Sequence, residues 1–145
     1  MSLAAALTDE AKKPVIVRDC LQIIDAEVAS KSGLSGMAVK AGYRAVKGIK
    51  PGFIESVVDG LLPEFAEALD PIHADAVAQG ADVEDYFRQH KSRVADALLA
   101  VTDAKAEKST NKIVKGTYSK LRGTAKKHVE DAVPRLAGLI VRHAA

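Results

Sequence analysis

The sequence predicts an all-α, single-domain helical bundle over residues 1–145, built as a pseudo-two-fold repeat of two three-helix units. Three observations lead there. Apolar residues recur at helical spacing along nearly the whole chain, strand signals are almost absent, and two segments of the chain match each other. Only six of the 145 residues are aromatic, and no alternating run of β-branched residues is bounded by a tight-turn dipeptide.

The elements follow in order. Met1 to Thr8 has neither a basic start nor a long apolar run, so no signal peptide is expected, and at most a frayed turn. Lys13-Pro14 suits a first helical turn, since proline there loses no hydrogen bond. Val17, Leu21, Ile24 and Val28 then form one stripe. The loop Ser32-Gly33-Leu34-Ser35-Gly36 leads to Val39, Tyr43 and Val46, with Ser35 as candidate cap. After the break at Lys50-Pro51-Gly52, a broad stripe runs from Ile54 to Leu69. Asp70-Pro71 is expected to end that helix and to leave a short separate one at residues 72–78. A turn at Gln79-Gly80-Ala81-Asp82 precedes a stripe from Val83 to Val101. Ser109-Thr110-Asn111 caps the next helix, and Val114–Leu121 and Val129–Ile140 supply the last two apolar faces. Pro63 and Pro134 are expected to kink or interrupt their helices. Leu21, Ile24, Val58, Leu61, Leu98, Val133 and Leu136 are the expected core.

The repeat rests on identities. Val17, Asp19, Leu21, Lys31 and Ser32 recur as Val94, Asp96, Leu98, Lys108 and Ser109. Val39, Lys40, Tyr43, Gly48, Glu55, Val58 and Leu61 recur as Val114, Lys115, Tyr118, Gly123, Glu130, Val133 and Leu136. The units span about 14–69 and 83–143.

Composition narrows function by exclusion. A net charge of +2 excludes a uniformly basic, histone-like protein, and one cysteine excludes a disulfide framework or a multi-cysteine zinc site. No apolar run approaches the roughly 20 residues of a membrane span. Tyr43-Arg-Ala-Val-Lys47 places a phenol and an ammonium one turn apart, but no glycine-rich cofactor loop accompanies it. Ser109-Thr-Asn-Lys112 reads as a cap rather than a serine–lysine nucleophile. Asp70-Pro-Ile-His73 is a single carboxylate–histidine pair, too few for a di-metal bundle. His90 reads as a satisfied core histidine, His128 and His143 as solvated, and Cys20 as a small buried hydrophobe. No catalytic residue, metal or cofactor is assigned.

One electrostatic feature remains. Residues 31–50 carry five bases and no acid, residues 108–127 carry seven bases and no acid, and residues 51–90 carry nine acids and one base. Lys40, Arg44 and Lys47 share one helical face, and Lys115, Arg122 and Lys126 repeat it. These six are the candidate anion-binding residues, for a nucleic acid or another acidic partner, with solvated helix faces as the alternative. A non-enzymatic binding or accessory protein is therefore expected. The other class is a small enzyme with its site in the cleft between the repeats.

The runs Asp25-Ala-Glu-Val-Ala-Ser-Lys-Ser-Gly-Leu-Ser-Gly and Val39-Lys-Ala-Gly-Tyr-Arg-Ala-Val-Lys-Gly-Ile-Lys-Pro-Gly resemble an uncharacterised family of short bacterial proteins. So do Ala97-Leu-Leu-Ala-Val-Thr-Asp-Ala-Lys and Lys127-His-Val-Glu-Asp-Ala-Val-Pro-Arg-Leu. The resemblance covers nearly the whole chain. It implies an all-helical cytoplasmic protein and carries no catalytic residues across.

Overall fold

The computed structural model describes residues 2–144, of which about 85% are helical and none lie in a strand. Seven helices follow in order: α1 (Leu3–Leu7), α2 (Lys13–Ser30), α3 (Gly33–Lys47), α4 (Phe53–Ala78), α5 (Val83–Gln89), α6 (Lys91–Lys108) and α7 (Lys112–Ala144). They form one compact domain. Each of the long helices α4 and α7 packs against all five of the others.

Several boundaries fall where local chemistry puts them. Pro14 lies in the first turn of α2. Gly52 takes a left-handed conformation (φ 73°) ahead of α4, a backbone state that side chains with a Cβ disfavour. Asp82 accepts from the Asp85 amide and starts α5. The Asn111 side chain accepts from the amides of Ile113 and Val114, so Asn111, not Ser109, caps α7. Ser35 lies inside α3, which begins at Gly33.

Four expectations are overturned. Asp70-Pro71 does not end α4, and residues 72–78 are its last turns rather than a separate helix. Leu69, Ile72 and Ala76 stay in phase across Pro71 and are all buried. Burying a large aliphatic side chain contributes about 1.5–3 kcal/mol, which offsets the roughly 3 kcal/mol cost of an internal proline. Second, the segments expected as separate helices around Val114–Leu121 and Val129–Ile140 are one helix, α7. Gly48-Ile-Lys-Pro-Gly breaks the chain between α3 and α4, while the corresponding Gly123-Thr-Ala-Lys-Lys lacks both the proline and the second glycine. Nothing there interrupts the hydrogen-bond ladder. Third, the stripe from Val83 to Val101 is divided at His90 into α5 and α6. Fourth, the N-terminal turn is part of the core: Leu3 is 0% exposed, and the Ala4 amide bonds to Asp70 of α4 at 3.3 Å.

Burial is uneven. The main core joins α1, Ile16 and Val17 of α2, the middle and end of α4, α5, Val94 of α6, and the C-terminal part of α7. Between residues 18 and 57 only Gly36 is buried, and between 100 and 132 no residue is. Val58, Leu61 and Val133 are buried as expected, whereas Leu21, Ile24, Leu98 and Leu136 are half-buried. On α6, Val94, Ala95 and Leu99 are buried while Leu98, on the same arc, is half-buried, because the main core reaches α6 chiefly at Val94. In the sparsely buried half, α3 meets α7 at Gly42. A Cβ there would lie 2.8 Å from Thr117 Cγ2 and 3.0 Å from Leu121 Cδ1.

Two measurements test this packing. Phe87→Ala, at a fully buried site, should cost about 3–5 kcal/mol in urea unfolding, and Leu98→Ala less than about 2 kcal/mol. Equal losses would show that the core extends evenly through the bundle. Gly123 is helical with open space around its missing Cβ, so Gly123→Ala should stabilise by about 0.5–1 kcal/mol. Gly42→Ala should destabilise despite the same gain in helix propensity.

Candidate functional site

The six candidate cations divide into two sets with different surroundings. On α7, Arg122 grips Asp103 of α6 through two bonds, at 2.8 and 3.1 Å. Lys126 pairs with Asp96 at 3.1 Å, and Lys115 donates to the Glu107 carbonyl at 3.3 Å. This basic stripe lies along α6 and is occupied by it. On α3, Lys40, Arg44 and Lys47 make no ion pair among the described residues. Lys47 lies 5.6 Å from the centre of the Tyr43 ring, a cation–π contact. At 100° per residue, Lys40, Arg44 and Lys47 sit on the side of α3 away from Gly42, and the α7 set sits on the side of α7 away from Thr117. The two sets therefore flank the α3–α7 contact on opposite sides. The outer face of α3 also exposes Leu34 (89%) and Met37 (67%).

Tyr43 and Tyr118 have similar partners. Tyr43 donates to Asp25 at 2.6 Å, and Tyr118 donates to Asp103 with Thr102 Oγ1 2.7 Å from its oxygen. Burial first, and then the Asp25 hydrogen bond and charge, push the Tyr43 phenol up to about 12. A proton-transfer tyrosine needs the opposite shift, so Tyr43 and Lys47 do not form such a pair. Tyr118 is raised for the same leading reason, while its bonds with Arg122 and Tyr118 hold Asp103 below the usual carboxylate range.

Other candidates take structural roles. Ser109 accepts from the Asn111 amide at 3.2 Å and has no bond to Lys112. Asp70 serves the α1 amide. His90 holds the Tyr86 carbonyl at 2.8 Å and stacks on the Tyr86 ring. Cys20 is half-buried, and desolvation pushes its thiol up to about 11, away from thiolate chemistry. His143 is not solvated: its side chain is 11% exposed and contacts Asp19 at 2.6 Å. Among the described residues, no group of three or more His, Cys, Asp or Glu is placed to hold a metal ion. Nor is any helix long and apolar enough to cross a membrane.

Three grooves mark the surface. One, about 750 Å³, runs between the starts of α2 and α4, where Glu10, Glu55 and Asp59 face Lys13 and Arg18. Its charges are mixed and it gathers no reactive group. A second, about 500 Å³, lies where α2, α3 and α7 meet. There Lys31, 8% exposed, sits between Glu27 at 3.3 Å and Asp131 at 3.6 Å, and Arg135 bonds to Glu27 at 2.9 Å. Both ring nitrogens of His128 are buried beside this cluster without a hydrogen-bond partner, contrary to the solvated state expected. No sequence signal marks this, because the crowding comes from α2 and α3.

The third groove, about 660 Å³, lies between the α3–α4 and α6–α7 segments. Val46, Phe53, Ile54, Val57, Leu61 and Val114 form its walls, with Thr102 and Tyr118 as polar points and Lys105 and Lys108 at the edge. No carboxylate lines it. The sequence suggests a cleft between the repeats but assigns no residue to it, since Val46, Ile54, Val57, Leu61 and Val114 lie on ordinary helical stripes.

The chain belongs to a family of unknown function, DUF6918, whose sequence profile matches residues 3–144. No curated protein and no solved structure matches it.

His128 gives a pH test of the second groove. Desolvation and the nearby Lys31 and Lys127 lower its pKa against the opposing pull of Asp131 and Glu27. The unfolded chain then binds the proton more readily, near pH 6.5. This contribution is complete above about pH 6.5 and is lost as the pH falls through the folded value. His128→Leu should match or exceed wild-type stability at neutral pH, by removing unsatisfied nitrogens, and should lose less stability on acidification. A steeper acid loss in the variant would overturn the assignment.

Proposed function

We propose that the protein is a non-enzymatic binding protein that takes an anionic macromolecular partner on the outer face of α3. The observation that carries this reading is the state of its cations: Lys40, Arg44 and Lys47 pair with no carboxylate among the described residues, and residues 31–50 contain no acid. Lys115, Arg122 and Lys126, expected to share the surface, have partners on α6. They contribute to the field rather than to contacts. Leu34 and Met37 beside the stripe favour an acidic protein over a nucleic acid, since protein interfaces combine an apolar centre with a charged rim. The absence of a convergent acid–base or nucleophile pair in the grooves favours binding over catalysis.

Two finer points belong to the same reading. The chain is a duplicated unit, supported by the matching tyrosine bonds and by α2 and α6, which are both 18 residues long. The protein works in a bacterial cytoplasm, where one unpaired thiol suits a reducing compartment.

The test uses two defined polyanions, poly-glutamate and duplex DNA, at about 50 mM salt, where electrostatic association is strongest. Wild-type protein should bind poly-glutamate, with affinity falling steeply as salt rises. Reversal of Lys40, Arg44 and Lys47 to Glu should weaken binding at least tenfold, roughly the effect of losing one charged contact. Its thermal midpoint should barely move, because exposed charges contribute little to stability. Reversal of Lys115, Arg122 and Lys126 should weaken binding less. Stronger binding of DNA than of poly-glutamate would assign the face to nucleic acid, and failure to bind either would end the proposal.

A further inference from the structure

We infer that the groove between α4 and the α6–α7 connection is a binding site for a single-chain amphiphilic anion of the fatty-acid class. The site is separate from the α3 cation face, so either assignment can fail without the other. Its volume, about 660 Å³, falls within the range of roughly 300–1,000 Å³ typical of small-molecule sites. Its walls are aliphatic and aromatic, supplied by Phe53, Ile54, Val57 and Leu61 of α4 with Val46 and Val114 opposite. Val57 is 37% exposed, so an apolar occupant would cover surface that now faces water.

The charged groups lie at one end, in the last turn of α6. Lys105 and Lys108 are one turn apart on α6, and Ser109 and Thr110 follow them in the connection to α7. Glu64 engages Lys105 at 3.4 Å, whereas Lys108 makes no ion pair among the described residues. The Ser109 oxygen accepts from the Asn111 amide, which leaves its hydroxyl proton available to an anion. The N-terminus of α7 adds a partial positive charge beside them. An occupant with an apolar tail and one anionic head matches both the walls and this end. A neutral hydrocarbon would leave Lys108 without a partner. A compact polar anion would leave the walls wet.

Gly60 lines the groove and is helical, with nothing within 4 Å of the position its Cβ would take. Gly60→Phe therefore adds bulk at the groove wall without a clash at its Cβ. Dodecanoate, below its micellar concentration, serves as the probe in titration calorimetry with the full chain, with dodecanol and acetate as comparisons. Wild-type protein should bind dodecanoate saturably with one site, dodecanol at least tenfold more weakly, and acetate not at all. Gly60→Phe should lose at least tenfold for dodecanoate with an unchanged far-ultraviolet spectrum. Lys108→Glu should lose at least tenfold for dodecanoate and nothing for dodecanol. Each factor is about that of one charge-assisted or packing contact. No saturable binding, or equal binding by Gly60→Phe, overturns the site. Equal wild-type affinity for dodecanol and dodecanoate overturns the anionic head. Sedimentation with phosphatidylglycerol vesicles, undiminished in Gly60→Phe, would assign apolar affinity to a membrane surface and overturn the groove as well.

Discussion

The supply of large apolar side chains is not even along this bundle, and most of its other properties follow from that. One half is closed by Leu3, Phe87, Leu69, Ile72, Leu139 and Ile140, all nearly inaccessible to water. The other half comprises the end of α2, all of α3, the end of α6 and the first half of α7. Half-buried aliphatics, a glycine contact, two tyrosine bonds and a set of ion pairs hold it together. A dry core is rigid because every displacement costs contacts on several sides. A half-wet one tolerates grooves, and two of those described above open onto it. Local opening should begin in that half too, since few buried contacts are lost when it opens.

Ion pairs between the helices fix register more than they add stability. Along α6 and α7, Asp96–Lys126 and Asp103–Arg122 define an antiparallel alignment. Asp19–Arg142, Glu27–Arg135 and Lys31–Asp131 do the same for α2 and α7. Most of these pairs are solvent-exposed on at least one side, so each contributes little to stability. Their common effect is to penalise a one-turn slip, which would separate several pairs at once.

The class of fold and most helix ends were legible in the sequence because they depend on local chemistry. Pro14, Gly52, Asp82 and Asn111 act within one turn of themselves. What was not legible depends on distant residues. Whether Pro71 ends a helix turns on what Ile72 and Ala76 can bury against, and the partners lie elsewhere in the chain. The continuity of α7 was visible only as an absence, the missing proline and glycine after Gly123. The candidate cations were found by counting charge, which cannot tell a lysine facing solvent from one facing an aspartate on the next helix. Asp96 and Asp103 lie outside the charge windows that singled out Lys126 and Arg122.

Gly42 ties two features of the molecule together. Because the α3 backbone at Gly42 meets the Thr117 and Leu121 side chains of α7 with no room for a Cβ, the sizes of residues 42, 117 and 121 are constrained as a set. Val46, one turn further along α3, and Val114 and Tyr118, on the facing stretch of α7, line the apolar groove beside that contact. A related chain with a larger side chain at position 42 must shrink residue 117 or 121, or hold the two helices further apart and open a wider groove. Covariation at these three positions would therefore record how different members of the family set the bore of the same cleft.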